Sequence, residues 1–167
     1  MIIPYVIVII SFILDTLIMK YIPFQINQII LFPMFLLIGL TFSYYYIKNT
    51  KKFITLSLFS GIMIDIIWNN TGIIYSFVYV IIGFYIIFLN KLFSINIINF
   101  LVETILVIIV ENLIIFFILI ILNVIDNNLL DLLIKIMKSI PLSILYAIIL
   151  YGIFYCLEKK KKLRKRY

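Results

Sequence analysis

The chain has 167 residues, of which 66% are hydrophobic and 13% are charged, and its mean hydropathy is +1.27. Soluble domains are about half apolar and about a quarter charged, so this composition excludes a water-soluble fold. We expect an all-α integral membrane protein with six transmembrane helices, because each span needs about 20 apolar residues.

Six apolar segments separated by short polar loops follow one another along the chain. Pro33 is expected in the first turn of the second segment, where proline is tolerated. The polar turn at residues 69–72 predicts an antiparallel hairpin of the third and fourth segments. Two alternatives stay open for residues 132–138, an interfacial segment or the start of a long last helix. The predicted spans are residues 2–19, 29–47, 53–68, 73–89, 100–122 and 139–157, and together they form one domain over 1–157.

The first segment lacks a positively charged start and a small-residue cleavage pattern, so we expect a retained span and not a removed signal peptide. Residues 158–167 form a basic tail. Because the tail directly follows an apolar span, its charge favours a flank near anionic membrane lipid over a nucleic-acid site.

The basic residues concentrate on one side of the predicted bundle. With the amino terminus inside, eleven of the fourteen Lys and Arg residues lie on the inner side and three on the outer side. Loops rich in Lys and Arg stay in the cytoplasm, so we expect both termini there. The inner set is Lys48, Lys51, Lys52, Lys91 and seven residues of the tail, and the outer set is Lys20, Lys135 and Lys138.

Four acidic residues fall inside the predicted spans, where a charge is costly and is therefore a candidate functional group. Asp15 and Glu103 lie near span ends, and we interpret them as groups that reach water or lipid headgroups. Asp65 and Glu111 leave two interpretations open, a functional role or a hydrogen bond to a neighbouring helix.

The sequence contains no recognisable catalytic set. Glu103 and Glu111 are separated by about 12 Å along a helix, which is too far for the two acids to share a proton. The chain has no histidine, the commonest general base and metal ligand, and its single cysteine, Cys156, cannot form an intramolecular disulfide. We expect no enzymatic activity, no bound metal and no cofactor.

One pattern in the third and fourth segments resembles a known family. Gly61 is followed by Asp65, then by a polar turn that ends in Gly72, and then by Gly83 and the aromatic Tyr85. This arrangement is similar to that of the rod shape-determining protein MreD. The resemblance extends over nearly the whole chain, including the basic loop at 48–52, the acid Glu111 inside the fifth span and the basic tail.

The resemblance implies a non-enzymatic scaffold in the bacterial cell membrane. Members of this family bind the membrane protein MreC directly. Through the rod complex they are associated with MreB, RodA and a class B penicillin-binding protein, which together synthesise lateral peptidoglycan. On this hypothesis Gly61, Asp65, Gly72, Gly83, Tyr85 and Glu111 are candidates for helix packing or partner contact. Internal packing of the hairpin is an equally good explanation of Gly61.

A different class of protein has a similar size and span count. The substrate-binding membrane subunits of energy-coupling-factor vitamin transporters also have six spans, with small-residue motifs in the first helix. Here the stretch from Ile7 to Asp15 contains only Ser11 as a small residue. This counts against the transport alternative.

The charge asymmetry predicts the accessibility of single cysteines in intact cells. Cysteines placed at Asn49 and Arg166 should be shielded from membrane-impermeant thiol reagents, and cysteines at Asn70 and Asn127 should be labelled. Labelling of the Arg166 position in intact cells would contradict a cytoplasmic carboxyl terminus.

Overall fold

The computed structural model describes residues 3–21, 25–26, 29–30, 33–47, 49–69, 73–93, 96–123 and 129–164. In these ranges the architecture is helical, as predicted, apart from two short strands, Gln25–Ile26 (β1) and Ile29–Ile30 (β2), which pair antiparallel. The six α-helices are α1 Ile3–Tyr21, α2 Phe35–Tyr44, α3 Thr50–Ile64, α4 Ile74–Leu92, α5 Ile97–Ile121 and α6 Leu129–Arg164.

The helices pack as three consecutive hairpins. The most extensive contacts join α1 with α2, α3 with α4, and α5 with α6. The short helix α2 contacts all five of the others, and every residue from Phe35 to Ser43 is buried. The core of the bundle therefore lies around α2, and buried residues of α4, α5 and α6 pack against it.

Helix α2 begins later than the sequence suggested. The second apolar segment was expected to be helical from residue 29, with Pro33 in the first turn. Instead Ile29 and Ile30 lie in the strand pair, and Pro33 precedes the helix, which begins at Phe35. Apolar side chains suit either conformation. The start of α2 is set by Asp15 of α1, which accepts hydrogen bonds from the first amides of the helix.

Helix α6 begins before residue 139, where the sixth span was expected to start. Residues 132–138 belong to one continuous helix from Leu129 to Arg164, and Pro141 lies inside that helix and not near its start. At the standard rise its 36 residues are about 54 Å long, which exceeds the roughly 30 Å thickness of a bilayer core.

Several helix ends are defined by local hydrogen bonds. The Asn49 side chain accepts from the Lys52 amide at the start of α3, and the Asn96 side chain accepts from the Ile97 amide at the start of α5. Helix α3 ends in a π-helical turn, Asp65–Asn69. Helix α5 is followed by Asn123 in the left-handed region at φ 53°, a conformation that asparagine tolerates at helix ends.

Among the described residues, three helices are long and apolar enough to cross a membrane. They are Ile74–Leu92, Ile97–Ile121 and the part of α6 from Leu129 to Ile153. The apolar segments Ile3–Ile18 and Phe35–Tyr44 are shorter. With 10 residues, α2 is only about 15 Å long, about half of a bilayer core.

Three glycines mark the closest approaches between helices. A Cβ on Gly61 would lie 2.5 Å from the Tyr75 carbonyl oxygen and 2.6 Å from the Ser76 Cα, so α3 meets the backbone of α4 here. A Cβ on Gly83 would lie 2.6 Å from the Ser57 Oγ in the same hairpin, and one on Gly39 would overlap the Ser11 side chain of α1. Small residues allow membrane helices to pack this closely.

These contacts predict that alanine is not tolerated equally at all glycines. Gly61→Ala should destabilise the protein by about 1–3 kcal/mol, because backbone atoms of α4 must move. Gly152→Ala is the control, since its Cβ would meet nothing within 4 Å, and it should be neutral or slightly stabilising. The measurement is unfolding of the purified protein in mixed detergent micelles, followed by circular dichroism. Equal stabilities of the two variants would show that α3 and α4 are not in close contact at Gly61.

Candidate functional site

Asp65 joins α3 to the first turn of α4. Its carboxylate oxygens accept hydrogen bonds from the Tyr75 amide at 3.0 Å, the Ser76 amide at 2.8 Å and the Ser76 hydroxyl at 2.6 Å. The N-cap residue of α4, Ile73, has no side chain that can cap these amides. Asp65 is 4% exposed and therefore serves as a buried cap supplied by the preceding helix.

Asp15 joins α1 to α2 in the same way. One carboxylate oxygen accepts from the Phe35 amide at 2.8 Å and the other from the Leu36 amide at 2.6 Å. The N-cap residue of α2, Met34, provides no side-chain cap, and its own amide donates to the Ser143 hydroxyl of α6 at 3.3 Å. The half-buried Asp15 was interpreted from the sequence as a group that reaches water or headgroups, and its hydrogen bonds instead define where α2 begins.

The hairpins α1–α2 and α3–α4 thus share one arrangement. In each, an acid on the first helix accepts hydrogen bonds from the first-turn amides of the second helix. Four residues before the acid stands a small residue, Ser11 or Gly61, that touches the second helix. A carboxylate is also favoured by the positive end of the helix dipole at this position. The equivalence of Asp15 and Asp65 is visible only in the folded chain, since their partners lie 20 and 10 residues further along.

Glu103 occupies the opposite end of the bundle. It is 0% exposed, accepts from the Tyr45 hydroxyl at 2.8 Å, and also accepts from the side-chain amide of Asn90. Tyr45 directly follows α2, and Asn90 lies in the last turn of α4. Glu103 of α5 therefore connects three helices at this end of the bundle. Glu103 was expected to reach water or headgroups, but it is buried in the structure. Both oxygens are satisfied inside the protein.

Glu111 and its neighbour Asn112 lie on the buried face of α5. Glu111 is near enough to Asp15 of α1 and Lys135 of α6 for charge interactions with both. The Asn112 side-chain amide donates to the Ile108 carbonyl at 2.9 Å and lies 3.6 Å from the Met34 sulfur. These two polar residues therefore lie between the α1–α2 hairpin and the α5–α6 hairpin.

The remaining candidates from the sequence pattern do not form one cluster with Glu111. Gly61 and Asp65 meet the start of α4, whereas Gly83 packs on Ser57 further along the same hairpin. Tyr85 is partly buried and packs against the main hydrophobic cluster. Gly72 lies outside the residues that the structure describes. The pattern thus marks the interior of the α3–α4 hairpin and not a pocket.

Two contacts of Tyr146 were not anticipated from the sequence. The Ser11 and Tyr146 hydroxyls are 2.7 Å apart and link α1 to α6, and the Tyr146 ring lies against Phe35 with centroids 4.5 Å apart. The only sequence signal was that Ser11 is a small polar residue four positions before Asp15.

The chain matches a known protein family over most of its length. Residues 1–161 match the family model described as rod shape-determining protein MreD. Comparison with curated proteins found no match, and comparison with solved structures found none. The family match covers every helix, although the last three residues of α6 extend beyond it.

The shared capping arrangement predicts similar costs for removing either acid. Asp15→Leu and Asp65→Leu should each lower the free energy of unfolding by about 3 kcal/mol, because each leaves two buried amides without an acceptor. Asp65→Asn should cost less, since its amide oxygen still accepts. Thr55→Leu, on the exposed face of α3, is the control and should change stability little. The measurement is unfolding in mixed micelles, and an Asp15→Leu variant as stable as the parent would contradict the equivalence.

Proposed function

The chain belongs to the MreD family of rod shape-determining proteins, and we propose that it is a non-enzymatic scaffold of the bacterial rod complex. The observation that carries this proposal is the family match over 161 residues. In the proposed role the protein binds MreC directly and is associated through the complex with MreB, RodA and a class B penicillin-binding protein. It thereby supports lateral peptidoglycan synthesis.

The hydrogen bonds made by the buried acids support a scaffold role. Asp15, Asp65 and Glu103 have their carboxylate oxygens engaged by amides, hydroxyls or side chains of neighbouring helices. An acid that acts in catalysis must be placed to exchange a proton with a substrate. These three acids instead hold helices in register, which is what a rigid membrane scaffold requires.

The helix order supports a multi-pass topology in the bacterial cell membrane. We place six passes across the bilayer, with both termini in the cytoplasm. Consecutive hairpins put the ends of α2, α4 and α6 on one side of the bundle, and that side carries the basic loop, Lys91 and the basic tail.

The glycine contacts restrict where MreC can bind. Gly61 and Gly83 are already used inside the α3–α4 hairpin, so a partner helix cannot also pack against their bare faces. Outward-facing apolar side chains are plentiful on α1 and α3, including Ile9, Ile13 and Phe59. We infer that MreC contacts an outer face of this kind, and that membrane lipids cover the others.

The scaffold proposal predicts both a partner and a phenotype. Affinity capture of the full-length protein from membranes of a rod-shaped host should bring down MreC, and depletion of the protein should make the cells round or swollen. At equal membrane levels, Asp65→Leu should restore rod shape poorly, Asp65→Asn should restore it better, and Gly152→Ala should restore it fully.

One outcome would contradict the scaffold proposal, and another would contradict a role for Asp65 in it. Capture of ATPase subunits, together with a vitamin retained by the purified protein, would instead support the transport alternative. Normal rods and normal MreC capture with Asp65→Leu would show that the α3–α4 junction has no part in the function.

A further inference from the structure

Pro141 divides α6 into two halves that pack in different places. Before the proline, Leu132 and Ile136 form a small hydrophobic cluster with Phe116 of α5. After it, Tyr146 and its buried neighbours belong to another cluster, together with side chains of α2. The two halves of this one helix are therefore held by separate contacts.

The hydrogen bonding of α6 is weakest at the same point. Pro141 has no amide hydrogen, so the Met137 carbonyl does not receive the bond that residue 141 would otherwise donate, and the proline ring crowds that carbonyl. Sharp bends in helices are found mostly at such prolines. With 36 residues α6 is also longer than a bilayer core is thick. A bend in α6 is therefore easiest at Pro141.

Two buried acceptors on α5 lie near the turn that follows Pro141. Among the described residues, Glu111 Oε2 and Asn112 Oδ1 have no hydrogen-bond donor, although buried acceptors are nearly always satisfied in proteins. Asn112 Nδ2 lies 3.6 Å from the Met34 sulfur, and the Met34 amide donates to the Ser143 hydroxyl at 3.3 Å. Asn112 and Ser143 thus touch the same residue. Amides released in the turn after Pro141 are suitable donors for these acceptors.

The first two hairpins show the arrangement that such a bend completes. Asp15 lies 12 residues after the start of α1, Asp65 lies 15 residues after the start of α3, and Glu111 lies 14 residues after the start of α5. The first two acids accept from first-turn amides of the second helix in their hairpin. Glu111 has the corresponding place in the third hairpin, but the unbroken α6 has no first turn at this level.

We propose that α6 bends at Pro141, and that in the bent form Glu111 and Asn112 accept hydrogen bonds from the first-turn amides of its second half. This helix start repeats that of α2, where Pro33 precedes the amides that Asp15 accepts. A carboxyl group keeps an oxygen that accepts whether or not it is protonated. The capping role therefore does not depend on the charge of Glu111.

The first half of α6 has the pattern of a helix that lies on a membrane surface. Asp131, Lys135 and Lys138 recur at positions i, i+4 and i+7 and share one face. Exposed apolar side chains, among them Leu130 and Met137, lie on the other side of the helix. Amphipathic helices of this kind lie in the interface between lipid and water. In the bent form this half lies along the outer surface of the membrane, in the proposed topology.

The straight and bent forms correspond to the two structures that the sequence allowed for residues 132–138, a continuous helix and an interfacial segment. The straight form keeps the packing of Leu132 and Ile136 on α5. The bent form gives up that packing and supplies donors to Glu111 and Asn112. Because each form has contacts that the other lacks, the helix can exchange between them. The hinge is a property of this chain alone and does not rest on the scaffold role.

The test measures distances between pairs of spin labels in the full-length Cys156→Ser protein in lipid nanodiscs. Labels at the exposed positions Leu130 and Ile149 flank the hinge and are about 28 Å apart in a straight helix. The bent form should add a second distance of about 20 Å, for halves that meet at roughly a right angle. Labels at Ile73 and Leu92 on α4, also exposed and equally far apart in sequence, are the control and should give one distance.

Variants at the hinge and at the acceptors should change the proportions of the two distances. Pro141→Ala should leave only the long distance, because alanine restores the missing amide. Glu111→Leu and Asn112→Leu should each reduce the short-distance population roughly fivefold, because each removes an acceptor. Glu111→Gln should retain that population, since its amide oxygen still accepts. Glu103→Gln, on the same helix with its oxygens already engaged, should leave the proportions unchanged.

A single long distance in the parent protein would overturn the hinge and would show that water or a proton satisfies the two acceptors. Two distances in equal proportions in the parent, Glu111→Leu and Asn112→Leu would overturn the capping role, and with it the proposal. If Glu111→Leu does not fold, Asn112→Leu and Pro141→Ala decide the question in the same way. Because no partner is present in the nanodisc, either result is independent of binding to MreC.

Discussion

Helices that begin inside a membrane protein expose amide groups that neither water nor lipid can satisfy. An unpaired amide in an apolar medium costs several kcal/mol, so every such helix start requires an acceptor. Here α2 and α4 begin after the apolar residues Met34 and Ile73, which cannot cap them. Asp15 and Asp65 supply the missing acceptors, and the position of each second helix follows from that bond.

This constraint explains why small residues stand near the acids. A carboxylate reaches the first turn of the next helix only if the two backbones are close together. Gly61 allows this in the second hairpin, where α3 touches the backbone of α4. Ser11 and Gly39 allow it in the first. The acid and the small residues are therefore parts of one contact, and a change at either should disturb both.

On the cytoplasmic side of the proposed topology, a buried acid connects helices without capping the start of one. There the carboxylate of Glu103 collects a hydroxyl from Tyr45 and an amide from Asn90, so three helices meet at one side chain. Glu111 differs from all three of the other acids, because one of its oxygens finds no donor among the described residues. Three of the buried acids thus act as internal connectors between helices.

The sequence by itself determined the class of the protein, because 66% apolar residues cannot be hidden in a soluble domain of this size. It also determined the number of helices and the family, since long apolar segments and the order of Gly61, Asp65 and Gly83 are local features. Only the tertiary structure decided that α2 begins at Phe35, that α6 continues from Leu129 to Arg164, and that Asp15 is equivalent to Asp65. An apolar run such as residues 29–34 suits a strand or a helix equally well. The choice between them depends on an acceptor 20 residues away in sequence, which periodicity and composition do not encode.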